Sequence, residues 1–146
     1  MASILHRNTQ ELEAGLDWIR QSPKDSGELK LIVRRPDILQ REVLTVGELN
    51  LLEGLAGDSW NVRGSSRTSD GSSHPDMQLN IMNARAIDWI SQSQQRWPLA
   101  GDQLYIDLDL SGQNLPPGTQ LSLGSAVIEV TSQPHTGCKI PAAKNS

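Results

Sequence analysis

The single cysteine of the chain lies in SQPHTGCKI, residues 132–140, with a histidine three positions before it and a lysine directly after it. His135 and Lys139 can both stabilise a thiolate at Cys138, and Gly137 lets a bulky partner approach the backbone. That is the chemistry of a working sulfur: a nucleophile, a carrier of persulfide or a soft ligand to a cofactor's metal. A packed and inert Cys138 fits the same letters, because free cysteines are among the most buried residues. One cysteine makes no internal disulfide, and the Cys and His positions do not have the spacing of a structural zinc site.

A second group lies in NVRGSSRTSDGSSHPD, residues 61–76, a stretch with almost no apolar side chain and longer than most connections in a compact domain. Arg63, Arg67 and His74 sit there among glycines and serines whose N–H groups can cradle a phosphate, although no P-loop or dinucleotide fingerprint is present. A solvated loop without a role is the plainer reading. Just before it, Asp58 in the Gly57-Asp58 pair either orients a ligand or accepts backbone hydrogen bonds in a turn. Asp107 and Asp109 share a face as an acid pair would, and equally as a solvated face would. There is no Ser-His-Asp signature, HExxH or CxxC.

These residues need elements to hold them. Asn8 and Glu11 have capping-box spacing, and Leu12, Leu16 and Ile19 recur on one face, which predicts a helix over about 8–21. ELKLIVRRP alternates as a half-buried strand that Pro36 ends, leaving Arg34 and Arg35 at its exit. VGELNLLEG predicts a helical turn with Gly54 as its left-handed stop. MQLNIM reads as a strand and Asn83 as the cap of a helix through ARAIDWISQSQQ, ended at Trp97-Pro98. Trp18, Trp89 and Trp97 fall on or beside helices as core or interface residues, while Trp60 lies nearer the candidate site.

QLYIDLDL is the clearest strand, with Leu104, Ile106, Leu108 and Leu110 on an apolar face and Gln103, Tyr105, Asp107 and Asp109 on a wet one. QLSL and AVIEV flank Gly124-Ser125 as a two-residue type II′ hairpin. Its second strand runs straight into SQPHTGCKI, so a sheet presents Cys138 from just beyond a strand end.

At 146 residues the chain has the length of one domain. With 13 Lys plus Arg against 17 Asp plus Glu, its charge of −4 gives no field for gripping nucleic acid or an anionic membrane. Neither a signal-peptide run nor a span of membrane length occurs, and the expected location is the cytoplasm. The elements predict a mainly β (α+β) domain with short flanking helices, in which closure into a barrel removes exposed strand edges.

The ordered set GLAGDSW, a polar loop, MQLNIMN, NLPPGTQLSLGSAVIEVT and PHTGCK resembles the MOSC domain, the family named after the C-terminal domain of molybdenum cofactor sulfurases. The likeness covers roughly residues 31–139. It implies a β-rich, barrel-like fold in which Cys138, as catalytic sulfur and metal ligand, carries sulfur or contacts the molybdenum of a pterin cofactor. Gly57 and Asp58 match the family's Gly-Asp turn. Asn114 with Leu115 resembles its Glu-Asn-Leu motif, with Gln113 in place of the acid.

Similar sequences continue past the cysteine, whereas this one stops at Ser146, so it reads as a member short at its C-terminus. The loop chemistry adds Arg63, Arg67 and His135 as candidate contacts to the cofactor. The expected function is molybdenum-cofactor binding or sulfur carriage, serving reduction of N-hydroxylated compounds as in some members. An electron-donor protein is implied if the enzyme reading holds. The alternative is a non-catalytic binding module that keeps the scaffold, a reading raised by Gln113 and the short tail.

Overall fold

The computed structural model describes residues 7–37, 39–63, 70–73 and 75–132. In chain order the elements are α1 (Thr9–Ala14), α2 (Leu16–Arg20), β1 (Glu28–Arg34), β2 (Glu42–Leu44), β3 (Leu49–Asn50), β4 (Gly54–Leu55) and α3 (Trp60–Arg63). There follow β5 (Ile81–Asn83), α4 (Ala84–Ser91), β6 (Leu104–Asp107), β7 (Gln120–Leu123) and β8 (Ala126–Glu129). Short 3-10 helices lie at Pro75–Met77 and Gln94–Ala100.

Among the described residues the fold is α+β, with about 27% helix and 25% strand, which is more helical than the mainly β domain expected. Among the described residues the strands form three separate sheets, in the orders β2-β1-β6-β5, β3-β4 and β7-β8, and these do not close into a barrel. Closure fails here because β2 and β5 remain edges of the four-stranded sheet, while β3 and β4 are only two residues long each. No helix among the described residues is long and apolar enough to cross a membrane.

The largest departure from the expected pattern is at β6. Its apolar face is buried as predicted, with Leu104 at 2% and Ile106 at 3% exposure, but Tyr105 on the face expected to be wet is at 0%. Leu104, Ile106, Leu108 and Leu115 form one cluster, and Tyr105 joins Val33, Met82, Ile87 and Trp97 in the other. Tyr105 is admitted because its hydroxyl donates to the Trp97 carbonyl at 2.9 Å, which leaves the ring free to pack. Burial, together with the charge of Asp102, pushes its phenol pKa well above the usual value. The second layer comes from α4, which links β5 to its parallel neighbour β6.

Asn83 caps α4 as expected, its Oδ1 accepting from the Ala86 N–H at 2.8 Å. Its Nδ2 also donates to the Leu108 carbonyl at 2.8 Å and Ser22 Oγ at 3.0 Å, so one side chain joins the helix start to two other segments. Asn83→Ala therefore loses a cap and leaves a buried carbonyl unpaired. It is expected to cost about 2 kcal/mol by urea unfolding, against about 1 kcal/mol for a cap alone.

Other boundaries moved for local reasons. The helix expected over 8–21 keeps its capping box, with Asn8 Oδ1 accepting from Glu11 N at 2.8 Å, but breaks at Gly15, where the Trp89 ring lies against the backbone. The helical turn expected before Gly54 is instead the β3–β4 hairpin. There Asn50 Oδ1 accepts from the N–H groups of Leu52 and Glu53 at 3.0 and 2.7 Å, which turns the chain locally. MQLNIM pairs as a strand only from Ile81. The helix after Asn83 stops at Ser91, with Gln92 left-handed at φ 65°, and Pro98 sits inside the following 3-10 helix.

The β7–β8 hairpin forms as predicted. Gly124 has φ 58° and Ser125 keeps a negative φ, as a type II′ turn requires.

Candidate functional site

A cleft of about 900 Å³ opens between the β3–β4 hairpin, residues 75–81, the loop over 110–117 and the β7–β8 hairpin. Its size is that of a small-molecule site, and Leu49, Leu79, Ile81, Leu121 and Ile128 give it an apolar wall. Hydrogen bonds bolt the walls together. Gln78 Nε2 donates to the Leu51 carbonyl at 2.7 Å, and Thr131 Oγ1 donates to the Asp76 carbonyl at 2.9 Å. Gly54 is at φ 73°, and a Cβ there would lie 2.8 Å from the Gln78 carbonyl, so close approach of the hairpin requires glycine. Beyond β8 the chain borders the cleft as far as Ser132, six residues before Cys138.

Behind the wall lies a buried polar node. Arg35 grips Asp58 with both ends of its fork, Nε to Oδ1 at 2.9 Å and Nη2 to Oδ2 at 2.7 Å. The Arg35 N–H adds a bond of 2.7 Å to Oδ1, the Trp60 N–H one of 3.0 Å to Oδ2, and Gln103 Nε2 one of 3.2 Å to Oδ2. Burial pushes the Asp58 carboxyl upward in pKa. The Arg35 hydrogen bond and charge, with the two backbone donors, outweigh it and hold the group below the ordinary carboxylate value. Gln103 carries the node to the cleft wall. Its Oε1 accepts from the Asn80 N–H at 2.7 Å, and its Nε2 donates to the Gln78 carbonyl at 3.0 Å.

Of the sequence-predicted residues, Gly57, Asp58 and Asn114 lie within the described structure, and each holds backbone or loops in place there. Asp58 takes the turn-holding role, extended by a salt bridge to Arg35, and Gly57 at φ 85° lies against the Arg34 side chain. Asn114 ties loops together, its Nδ2 donating to the carbonyls of Lys24 at 2.7 Å and Asp109 at 2.8 Å. None of these three is among the described residues that line the cleft. Arg63 ends α3, while Arg67, His74, His135 and Cys138 lie outside the described residues.

The Asp107 and Asp109 carboxylates are not a working pair. Asp107 binds Arg85 at 2.8 Å, and Asp109 binds Lys24 at 2.8 Å. The hydrogen bond from Lys24, with others from Ser111, lowers the pKa of Asp109 to about 2. Arg35 and Gln103 are the positioning residues that sequence reasoning missed. The signal for Arg35 was present, since a carboxylate in an apolar turn needs a cation and Arg34-Arg35 was the nearest strand exit. Gln103 gave none, because its alternation placed it on a wet face.

The chain matches no family model, no curated protein and no solved structure. The cleft has the volume of a small-molecule site, but Leu49, Leu79, Ile81, Leu121 and Ile128 offer no hydrogen-bonding side chain to the polar edge of a pterin ring. Its phosphate needs cations, and among the described residues lining the cleft the ionisable side chains are the acids Asp76 and Glu129. The described walls therefore do not supply the phosphate site, and no chemical step is derived through such a cofactor.

Proposed function

We propose that the chain is a MOSC-type domain that binds molybdenum cofactor or carries sulfur, with Cys138 as the functional sulfur. The observation that carries this reading is the course of β8: it forms one wall of the cleft and leads, at Ser132, toward the cysteine. The resemblance of the NLPPGTQLSLGSAVIEVT hairpin and PHTGCK supports the same assignment. On this reading the cofactor, where bound, would supply the redox chemistry, and the substrate would be an N-hydroxylated small molecule, with electrons from a donor protein. This chain's residues bind and orient. The apolar wall holds a flat ring away from water, Cys138 presents a thiolate, and Arg63, Arg67 and His135 supply charge toward the phosphate. Asp58 and Gly57 act from behind the wall, and Asn114 fixes the loop at its edge. A cytoplasmic location and independence from nucleic acid and membrane belong to the same proposal.

The test is molybdenum analysis, with pterin fluorescence after oxidation, on protein from a host that makes the cofactor. Wild type is expected to carry both, and Cys138→Ser to lose molybdenum by at least about tenfold, as loss of a metal ligand does. Equal molybdenum in both proteins would remove Cys138 from the site. Neither metal, pterin nor persulfide on wild type would leave the scaffold as a non-catalytic binding module, the reading that Gln113 in place of an acid favours.

A further inference from the structure

The two N-terminal helices are held to the body chiefly through one indole. Neither α1 nor α2 contains a fully buried residue, and their apolar side chains Leu12, Trp18 and Ile19 are only partly covered, so apolar burial holds them less than it holds the sheet. Their contacts gather on Trp89 of α4. Its Nε1 donates to the Glu11 carbonyl at 2.9 Å, and its own carbonyl accepts from Arg7 Nε at 2.6 Å. The Arg7 guanidinium lies 3.8 Å from the ring centroid, and the Trp18 ring packs at 6.4 Å. Gly15 lies so near that a Cβ there would come within 2.4 Å of the indole. The ties outside this group are from Arg85, whose Nη1 donates to the Trp18 carbonyl at 3.0 Å and whose guanidinium lies 5.6 Å from the Trp18 ring centroid, and from Ser22, whose Oγ donates to the Ile19 carbonyl at 2.6 Å.

Just past α2 the attachment changes in kind. Ser22 is 3% exposed, and its Oγ accepts from Asn83 Nδ2 at 3.0 Å. The Pro23 carbonyl accepts from the Asp109 N–H at 2.7 Å, and the Lys24 carbonyl from Asn114 Nδ2 at 2.7 Å. Lys24 Nζ also pairs with Asp109 at 2.8 Å. The chain is thus fastened to the sheet at 22–24 and lightly held before it, with Gln21 between.

We infer that residues 7–20 form a strap that lifts from α4 as a unit, with Gln21 as hinge and Trp89 as latch, while the sheet stays folded. Helices of six and five residues do not persist alone in water, so the lifted strap loses its helical hydrogen bonds. Lifting also withdraws Trp18 from a second cleft, of about 330 Å³, that it lines with Lys30, Arg85 and Trp97, and frees Arg85 from the Trp18 carbonyl. The position of the strap therefore sets the shape of that cleft.

Amide hydrogen exchange on the full chain, read by mass spectrometry, tests this. Amides of 7–20 should exchange at least about tenfold faster than those of β6, as expected of a sub-global opening. Gly15→Val drives an isopropyl group into the indole and should speed exchange in 7–20 further, while β6 stays within about twofold of wild type. Arg7→Ala removes the cation over the ring without introducing a clash, and should act in the same direction. Equal protection of strap and β6 in wild type would overturn the inference. So would variants in which β6 exchange rises in step with the strap, because strap and sheet would then be one cooperative unit.

Discussion

Asp58→Ala should destabilise the protein by about 3–5 kcal/mol, measured by guanidinium unfolding, because it leaves the Arg35 guanidinium buried without its counter-charge. Arg35 is 7% exposed and the Asp58 side chain 0%, so water cannot replace the lost partner. For a domain whose whole stability is about 5–15 kcal/mol, this approaches loss of the fold. Arg35→Met with Asp58→Leu should cost much less than the sum of the two single changes, since replacing both charges removes the unpaired ion.

The same pair sets an acid limit. The folded-state pKa of Asp58 is depressed, so its contribution is fully present above the unfolded value of about 3.9. It is lost as pH falls through the lower folded value. Stability measured from pH 5 downward should decline in wild type and decline less in Asp58→Ala. Parallel curves for the two proteins would show that the node is not the acid-sensitive group.

Much of this fold was readable wherever a short-range rule decides the outcome. The Asn8 capping box, the Asn83 cap and the Gly124-Ser125 hairpin depend on neighbours within a few residues, and all three formed. Tyr105 and Gln103 show where such reading stops. Alternation marks which residues share a face, but it does not say whether a second layer covers that face. Here α4 and the 3-10 helix after it cover the face, and Tyr105 and Gln103 enter the interior because Trp97, Asn80 and Gln78 satisfy their polar atoms. Gly54 was read as a helix stop from its tolerance of positive φ. The conformation was right and its use was different, because Asn50 had already turned the chain into a hairpin. For the site, sequence drew attention to Gly57, Asp58 and Asn114, which brace the structure around the cleft. The cleft itself depends on hairpins and loops far apart in the chain, which local patterning cannot bring together.

The two faces of β6 should respond very differently to removing one group from each. Leu104→Ala is expected to cost about 3 kcal/mol, or roughly 10 °C in Tm for a chain of this length, because Leu104 is 2% exposed in a closed cluster. Ile81, Leu79 and Leu121 pack against that cluster and also form the cleft wall, so the void left by the change lies under the candidate site. On the proposed function, retention of the cofactor should fall with stability in this variant. Tyr105→Phe keeps the ring and loses only the hydroxyl donor to Trp97, which should cost about 1 kcal/mol. It should leave the cleft unaffected, because Tyr105 belongs to the cluster on the α4 side. The contrast separates the two layers. If Tyr105→Phe also emptied the cleft, the α4 side would be shaping the site through the strand, and the division of β6 into a supporting face and a site-forming face would be wrong.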